Sequence, residues 1–321
     1  MNVVHQIFTA TTLAVILIKV APLLLAAIGG AITQQGNILN IGLEGMMLIG
    51  AFTAVAVGAR VHNSAVGTLA AVGAGLAFAL IYAVATLPLK ADFIVVGIGI
   101  NLLAAGLTVF LLQVIYGNPG VTPPEANVTL PGIPLGPIGD IPVIGRALTN
   151  QTSLVWLALL CVPIYSYFLY RTPWGVHLRA VGEDEAAAEA AGIHVTRTKF
   201  VSVLLSGILC GLAGAQLAMA TLGSFTAGMT SGRGFIAVAA LTFGLAKPVR
   251  TMVAAFIFGA ADAVADQLGV AGVNSNLALM TPYIITILAL VLAGVRVRRA
   301  VAARRPAPPA ESPMSPAPVA A

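Results

Sequence analysis

Long apolar runs separated by short polar segments recur along most of this 321-residue chain. A helix needs about 20 predominantly apolar residues to cross the roughly 30 Å hydrocarbon layer of a membrane. Runs close to that length lie near residues 7–28, 43–60, 65–87, 91–116, 153–170, 200–222, 234–246, 251–268 and 277–294. This pattern predicts an all-α polytopic membrane protein with about nine transmembrane helices, and a re-entrant segment near residue 36 would make about ten.

Composition agrees with a membrane protein, because 59% of the residues are hydrophobic and only 8% are charged. Lys and Arg in short loops favour the cytoplasmic side of a membrane. The ends assigned to the cytoplasm carry Lys90, Arg171, Arg179, Arg197, Lys199, Lys247, Arg250 and the arginines from Arg296 to Arg305. The long loop from Gly117 to Gln151 has Arg146 as its only basic residue and is assigned outside. The net charge of +5 reflects this topology and contact with anionic membrane lipid, and it gives no support to nucleic-acid binding.

The segment from residue 36 to residue 50 combines three polar residues, Asn37, Asn40 and Glu44, with several glycines. Polar groups at membrane depth are costly and mark transport pathways. The three residues are spaced i, i+3 and i+7, so they would share one face if the segment were helical throughout. The glycines instead permit a broken or re-entrant helix, whose backbone needs protein or a water-filled cavity around it. The alternative is a glycine-lined helix contact in which neighbouring helices satisfy the polar groups.

Asn101 is a further polar residue deep in an apolar run, surrounded by Gly97, Gly99 and Gly106. The candidate residues of a substrate pathway are therefore Asn37, Asn40, Glu44 and Asn101. Amide donors and acceptors suit a neutral, hydroxylated solute such as a sugar or a nucleoside better than a fixed charge does. The alternative for Asn101 and Glu44 is that each holds neighbouring helices together.

The polar segment over residues 172–198 lies between two predicted spans, on the side assigned to the cytoplasm. Its candidate docking residues are Gly182, Glu183, Asp184, Ala187 and Gly192. The first glycine precedes acidic residues that suit the start of a short helix, the alanines propagate the helix, and the second glycine is placed to end it. Such a helix can dock into a groove of a soluble partner and transmit its movement. The alternative is a solvated, alanine-rich connector.

The predicted organisation is a membrane domain over residues 1–300, the cytoplasmic loop over residues 172–198 within it, and a disordered Pro/Ala-rich tail over residues 301–321. The sequence has no Gly-x-x-x-x-Gly-Lys-[Ser/Thr] loop, so energy from ATP would have to come from another chain.

Asp262 and Asp266 near the outer end of a span are interpreted as a solvated helix end, with reception of a binding protein as the alternative. No catalytic residue and no metal site is predicted.

Three segments carry a family resemblance. They are Gly-Asn-Ile-Leu-Asn-Ile-Gly-Leu-Glu-Gly-Met-Met-Leu-Ile-Gly from Gly36, Arg-Ala-Val-Gly-Glu-Asp-Glu-Ala-Ala-Ala-Glu-Ala-Ala-Gly-Ile from Arg179, and Gly-Arg-Gly-Phe-Ile-Ala-Val-Ala-Ala-Leu from Gly232. With them, the chain from about residue 20 to 295 resembles permease subunits of bacterial ABC importers in the branched-chain amino acid, simple sugar and nucleoside group. The Leu-Glu-Gly-Met-Met form of the first segment looks most like the nucleoside branch, which is associated with basic membrane lipoproteins. Glu183 and Asp184 depart from the commonest coupling loop, where an Asn is frequent.

The resemblance implies a multi-pass subunit of the bacterial cytoplasmic (plasma) membrane that is not itself an enzyme and binds no cofactor. The implied partners are cytoplasmic ABC ATPase subunits that use ATP and Mg, a second permease subunit that is identical or homologous, and an extracytoplasmic substrate-binding lipoprotein. The helix near Gly182 would move with the ATPases while the spans rock between inward-open and outward-open states. The expected function is ATP-driven import of nucleosides or simple sugars by alternating access.

Three alternatives remain at this point. An ion- or proton-coupled secondary transporter would use an intramembrane carboxylate such as Glu44 for coupling. An ABC permease for branched-chain amino acids belongs to the same group of proteins. A channel would need a selectivity filter, and the sequence shows no filter residues.

Overall fold

Seven long helices form the transmembrane part of the computed structural model, which describes residues 10–134, 148–220 and 223–270. In chain order, the helices are α1 (Ala10–Gln35), α2 (Leu43–Val61), α3 (Ser64–Thr86), α4 (Phe93–Tyr116), α5 (Ser153–Arg171), α6 (Pro173–Glu183), α7 (Glu185–Ala190), α8 (Val195–Met219), α9 (Arg233–Phe243) and α10 (Pro248–Val270). A 3₁₀ turn (Pro124–Ala126) and two short strands, β1 (Gly132–Ile133) and β2 (Gln151–Thr152), lie between α4 and α5. The helices α1 to α5, α8 and α10 are long and apolar enough to cross a membrane.

The expectation of an all-α polytopic membrane protein is confirmed, and seven of the predicted spans correspond to these long helices. The prediction of a full span over residues 234–246 is wrong. The helix in that place, α9, has 11 residues, which at 1.5 Å per residue make about 16 Å, or about half of the hydrocarbon layer. The predicted span over residues 277–294 and the tail over residues 301–321 lie outside the described residues.

Close packing at glycines joins α2, α3 and α8 in the centre of the bundle. A Cβ added at Gly50 of α2 or at Gly75 of α3 would lie 2.9 or 3.0 Å from the Cα of Gly211 in α8. Helices in lipid gain little from burying apolar surface against one another, so small residues that let backbones approach become important. α1 packs against both α8 and α10, and its Leu24 and Ala27 are completely buried.

One end of the bundle is covered by the loop between α4 and α5. The N–H of Val128 donates to the carbonyl oxygen of Gly223 at 2.8 Å, and the N–H of Leu130 donates to that of Met219 at 3.0 Å. β1 and β2 pair antiparallel next to these contacts. The described part of the loop is thereby fixed to the segment that follows α8. This end is the one that the loop's low content of basic residues assigns to the outside.

The opposite end carries α6, α7 and the turn between α9 and α10. The side-chain amide of Gln35, the last residue of α1, donates to the carbonyl oxygen of Ala246 in that turn at 3.0 Å. Lys90, Arg197 and Glu185 line one open hollow at this end. The described basic residues that the sequence places inside therefore gather here, and the positive-inside pattern assigns this end to the cytoplasm.

Candidate translocation and coupling site

The helical path is broken between α1 and α2, as the density of glycines indicates. α1 ends at Gln35, and α2 begins at Leu43. Asn37 lies in the intervening turn with a left-handed φ of 58°, and it is exposed. A shared helical face for Asn37, Asn40 and Glu44 would need a continuous helix, and this condition is not met because the segment is broken, as the glycines permit.

Asn40 stabilises the irregular segment from within the bundle. Its side chain is buried, and its Oδ1 accepts a hydrogen bond from the N–H of Gly42 at 2.9 Å. Its Nδ2 donates to the hydroxyl of Ser206 at 3.3 Å. Ser206 lies near the middle of α8, so the break reaches about half-way across the bundle. At that depth Asn40 provides a hydrogen bond that a regular helix would otherwise supply.

Asn101 connects the break to α4. Its Oδ1 accepts from the N–H of Gly45 at 2.7 Å, and its Nδ2 donates to the carbonyl oxygen of Ile41 at 3.1 Å. Gly97, one helical turn earlier, lets α4 come close, because a Cβ added there would lie 3.0 Å from the nitrogen of Gly42. The amide of Asn101 thus joins α4 to the start of α2. This contact agrees with the alternative interpretation, in which Asn101 holds neighbouring helices together.

Glu44 joins the start of α2 to the start of α9. Its Oε1 accepts from the N–H of Gly232 at 2.9 Å, and its Oε2 accepts from the N–H of Gly234 at 2.6 Å. The first N–H groups of a helix have no partner within the helix and carry partial positive charge, so a carboxylate is favourable there. A Cβ added at Gly234 would lie 2.5 Å from the Cα of Glu44, so the close approach requires glycine.

We call Asn40, Glu44, Asn101, Gly232 and Gly234 the helix junction. It brings together three of the four predicted pathway residues and leaves Asn37 apart from them, nearer to the cytoplasmic end. The start of α2, which follows the break, and the start of the short α9 meet here, partly buried in the bundle. Discontinuous helices of this kind form substrate sites in several transporter folds, because their free backbone groups can hydrogen-bond a solute.

A cluster of four charged side chains lies on the outer side of the helix junction. Arg233 contacts Asp262 at 3.1 Å, and Lys19 contacts Asp262 at 3.7 Å and Asp266 at 2.5 Å. The side chain of Asp262 is only 15% exposed, whereas that of Asp266 is 50% exposed. The interpretation of Asp262 as a solvated helix end is therefore wrong. Lys19 is absent from the sequence-based predictions, although a single cation within an apolar helix indicates that a charged partner lies nearby.

The cytoplasmic segment contains two helices rather than one. Asp184 separates α6 from α7, and its Oδ1 caps α7 by accepting from the N–H of Ala187 at 3.0 Å. Gly182, expected just before a helix, lies inside α6, and Glu183 is the last residue of that helix. The boundary falls at Asp184 because its side chain supplies the acceptor that glycine lacks. Gly192 follows α7 with a left-handed φ of 83°, a conformation common just after helices.

α6 touches the break between α1 and α2 directly. A Cβ added at Gly182 would collide with the carbonyl oxygen of Gln35, the last residue of α1. A Cβ added at Gly36 would lie 2.9 Å from the side chain of Leu178 in α6. Two glycines therefore allow α6 to pack against the end of α1.

The described residues offer hydrogen bonds and ion pairs at this site. Within residues 10–134, 148–220 and 223–270, no group of three His, Cys, Asp or Glu residues is arranged to hold a metal ion. Cys161 and Cys210 are free thiols of α5 and α8. The chemistry that the junction provides is hydrogen bonding at membrane depth.

Comparisons with known proteins agree with the resemblance. The guanosine ABC transporter permease protein NupQ of Bacillus subtilis is 37% identical, with 85% of this chain and 89% of its own covered. The nucleoside ABC transporter permease protein NupC of Lactococcus lactis is 39% identical, with 91% and 94% covered. The putative glucose ABC transporter permease protein TsgC13 of Haloferax volcanii is 36% identical, with 75% and 73% covered.

These similarities confirm the interpretation as an ABC transporter permease subunit, a transport component rather than an enzyme, over a secondary transporter or a channel. They also confirm a multi-pass protein of the bacterial membrane. Residues 12–292 match the family model described as "Branched-chain amino acid transport system / permease component". The match spans most of the chain, which therefore belongs to this family of permease components.

Proposed function

We propose that this chain is a membrane subunit of an ATP-driven ABC importer and that the imported solutes are nucleosides, with simple sugars as the second solute class. The observation that carries this proposal is the 37–39% identity to relatives named as guanosine and nucleoside permeases, over 85–91% of this chain. A similar identity to a relative named as a putative glucose permease covers 75% of the chain and supports sugars as the second class. Branched-chain amino acids remain the alternative within the family.

The proposed substrate pathway passes the helix junction. The role of Asn40, Glu44 and Asn101 in this pathway is structural. They hold in place the irregular backbone between α1 and α2 and the start of α9. Asn37 is exposed in the turn at the cytoplasmic end of the break, where its amide is accessible to a neutral polar solute. Backbone groups at broken helices can bind the hydroxyl and ring nitrogen atoms of a nucleoside without a fixed charge.

The proposed coupling runs from partner ATPases, which bind ATP and Mg, through α6 and α7 to the break. The residues proposed to dock or to transmit are Gly182, Glu183, Asp184, Ala187 and Gly192. All except Gly182 are exposed, which suits contact with a soluble subunit. Gly182 instead faces the end of α1. Movement of the ATPases would shift α6 against α1 and bias the spans between inward-open and outward-open states.

A second permease subunit, identical or homologous, is proposed to cover part of the apolar surface of α4. Only 22% of the most apolar stretch of this helix is buried. Its Leu102, Phe110 and Val114 are 61–69% exposed, and lipid would cover the remainder. The extracytoplasmic substrate-binding lipoprotein would contact the opposite end of the bundle from α6 and α7.

The test is uptake of radiolabelled guanosine, uridine, glucose and leucine by cells that produce the partner subunits with or without this chain. The proton gradient is then collapsed while ATP is maintained. We expect nucleoside uptake that requires the chain and survives the collapse. Uptake that stops with the gradient despite intact ATP would contradict ATP-driven import, and uptake of leucine alone would replace the proposed solutes by amino acids.

A further inference from the structure

The charged cluster of Lys19, Arg233, Asp262 and Asp266 joins three helices mainly through one carboxylate. Asp262 of α10 accepts from Nη2 of Arg233 at 3.1 Å and from its Nε at 3.4 Å. The same carboxylate contacts Nζ of Lys19 in α1 at 3.7 Å. The side chains of Arg233 and Asp262 are only 17% and 15% exposed. Asp262 therefore holds the first residue of α9 against α10 from within the bundle.

The guanidinium group of Arg233 also contacts the turn that leads into α9. Its Nη1 donates to the carbonyl oxygen of Met229 at 3.2 Å. Ser231 and Gly232 in this turn have left-handed φ values of 46° and 80°, and a left-handed φ at a residue with a side chain persists only where the surroundings hold it. One side chain thus binds the turn before α9 and ties it to α10.

Arg233 lies directly between the two glycines that contact Glu44. The N–H groups of Gly232 and Gly234 donate to the two carboxylate oxygens of Glu44, and a shift of the Arg233 backbone would move both donors together. The start of α9 is therefore held from two sides, by Glu44 of α2 and by Asp262 of α10.

The ion pair between Arg233 and Asp262 is better suited to fixing a geometry than to adding stability. The cost of taking two charges out of water offsets much of their mutual attraction, so such a pair adds little net stability. A planar guanidinium group, in contrast, offers several donors at fixed angles and binds its acceptors in one orientation. Charged residues within membrane-spanning segments are also rare, and they indicate a functional role by default.

We propose that Arg233 and Asp262 are positioning residues for transport, which fix the start of α9 against Glu44 and thereby set the geometry of the helix junction. This inference rests on the proposed function, because it takes the junction as part of the solute pathway. Neither side chain needs to touch the solute. When the pair is lost, α9 still packs in the bundle, but Gly232 and Gly234 no longer face Glu44 in a single arrangement.

The test variant removes both charges at once, as Arg233→Met together with Asp262→Asn. Both replacements are close in size to the original side chains, and Lys19 keeps Asp266 as its partner at 2.5 Å. Removing a buried pair as a whole is often neutral for stability, whereas removing one partner is not. The matched control is Lys19→Met, which also takes a cation from Asp262 but leaves Arg233 bound to it.

The position of α9 is measured by amide hydrogen exchange of the permease–ATPase complex in lipid nanodiscs. We expect exchange at the amides of Gly232 and Gly234 to become about tenfold faster in the double variant, the factor that loss of one hydrogen bond of about 1.4 kcal/mol produces. Exchange at Gly211 in the centre of the bundle should not change, and Lys19→Met should exchange like the unmodified complex. Unchanged exchange at the start of α9, or faster exchange throughout the bundle, would overturn the inference.

The effect on transport is measured in proteoliposomes supplied with the binding lipoprotein, as the number of ATP molecules hydrolysed per guanosine imported. This ratio does not depend on the amount of folded complex, so a loss of stability alone leaves it unchanged. We expect it to rise about tenfold in the double variant, because α6 and α7 at the opposite end still follow the ATPases. Arg233→Lys, which keeps the charge, should restore part of the coupling, and Lys19→Met should keep the original ratio.

The two measurements separate the possible failures. If the unmodified complex imports no guanosine, the proposed function is contradicted, and hydrogen exchange still decides whether the pair fixes the start of α9. If guanosine is imported and the double variant keeps the original ratio, only the positioning role of Arg233 and Asp262 is contradicted.

Discussion

The helix junction and the contact between α1 and α6 differ in how completely their polar side chains are paired. At the junction, every side-chain oxygen and nitrogen of Asn40, Glu44 and Asn101 has a protein partner. Among the described residues near the contact between α1 and α6, Oε1 of Gln34 in α1 and Nε of Arg179 in α6 have no hydrogen-bond partner.

The role of a polar group that is kept out of water is therefore judged from its hydrogen-bond partners. Where the protein pairs it, the group stabilises an unusual backbone, as Asn40, Glu44 and Asn101 do at the junction. Substitutions at the junction should accordingly affect folding and transport together, whereas those at the contact between α1 and α6 should affect transport more than folding.

The largest effect is expected for Glu44→Ala. This change leaves the partly buried N–H groups of Gly232 and Gly234 without their acceptors. Hydrogen bonds to charged groups contribute about 1.5–3 kcal/mol each, so for two bonds we expect a loss of about 3–6 kcal/mol in stability and loss of nucleoside uptake. The measurement is the fraction of solubilised chain that stays monodisperse after stepwise heating, together with uptake at equal expression.

Two variants sharpen that result. Glu44→Gln keeps one acceptor oxygen and should retain part of both stability and uptake. Glu125→Ala removes an exposed carboxylate of the 3₁₀ turn and should change neither. Normal heat resistance of Glu44→Ala would show that Glu44 does not hold α9, and normal uptake would also exclude a role in the pathway.

Gly182→Ala is expected to impair transport more than folding. The added methyl group would meet the carbonyl oxygen of Gln35 and displace α6 from the end of α1. Overpacking typically costs about 1–3 kcal/mol, and a change of about 1.4 kcal/mol in the balance between two states corresponds to a factor of about ten. We therefore expect about tenfold slower uptake by a chain that still accumulates in the membrane.

The control for this variant is Gly73→Ala in α3, because an added Cβ there meets no atom within 4 Å among the described residues. Its uptake should equal that of the unmodified chain. ATP hydrolysis by the complex is measured in parallel. If Gly182→Ala and Gly73→Ala transport at the same rate, α6 does not act on the break through this contact.

The spans and the break could be predicted from the sequence because both depend on local pattern. Seven apolar runs of sufficient length became long helices, and glycines around Asn37 indicated where the path is interrupted. The short α9 could not be distinguished from a span in this way. Its apolar run is nearly long enough, and its start depends on Glu44, which lies 188 residues away from Gly232. The hydrophobic periodicity of a single segment carries no information about such a long-range contact.

The same limit applies to side-chain roles at the site. Asn37, Asn40 and Glu44 have helical spacing, yet their shared face disappears because the turn places Asn37 in a left-handed conformation. Asp184 ends one helix and starts the next, whereas the neighbouring Gly182 looked equally suited to a boundary. In both places the decisive fact is which side-chain oxygen accepts a backbone N–H, and this is a property of the folded chain.

Asn101→Ala should have a moderate effect. It removes the hydrogen bonds to Gly45 and Ile41, and hydrogen bonds between transmembrane helices contribute about 0.6 kcal/mol each on average. We expect a loss of about 1–2 kcal/mol in resistance to heating and a partial loss of uptake. Asn127→Ala, at an exposed position outside the helices, is the matched control. An altered solute preference of Asn101→Ala, without any loss of stability, would move Asn101 from the supporting structure to the substrate contact.

The smallest effect is expected for Lys19→Met in the charged cluster. Asp262 keeps Arg233 as a partner at 3.1 Å after this change, and Asp266 is half exposed, so neither carboxylate is left buried without compensation. Ion pairs of partly exposed groups contribute about 0–1 kcal/mol, and the loss should stay within that range with nearly normal uptake. Asp262→Asn should cost more, because it leaves both Lys19 and Arg233 without their shared carboxylate. If Lys19→Met instead stops uptake while the chain stays heat-resistant, the cluster takes part in transport, and it belongs with the contact between α1 and α6, where substitutions affect transport more than folding.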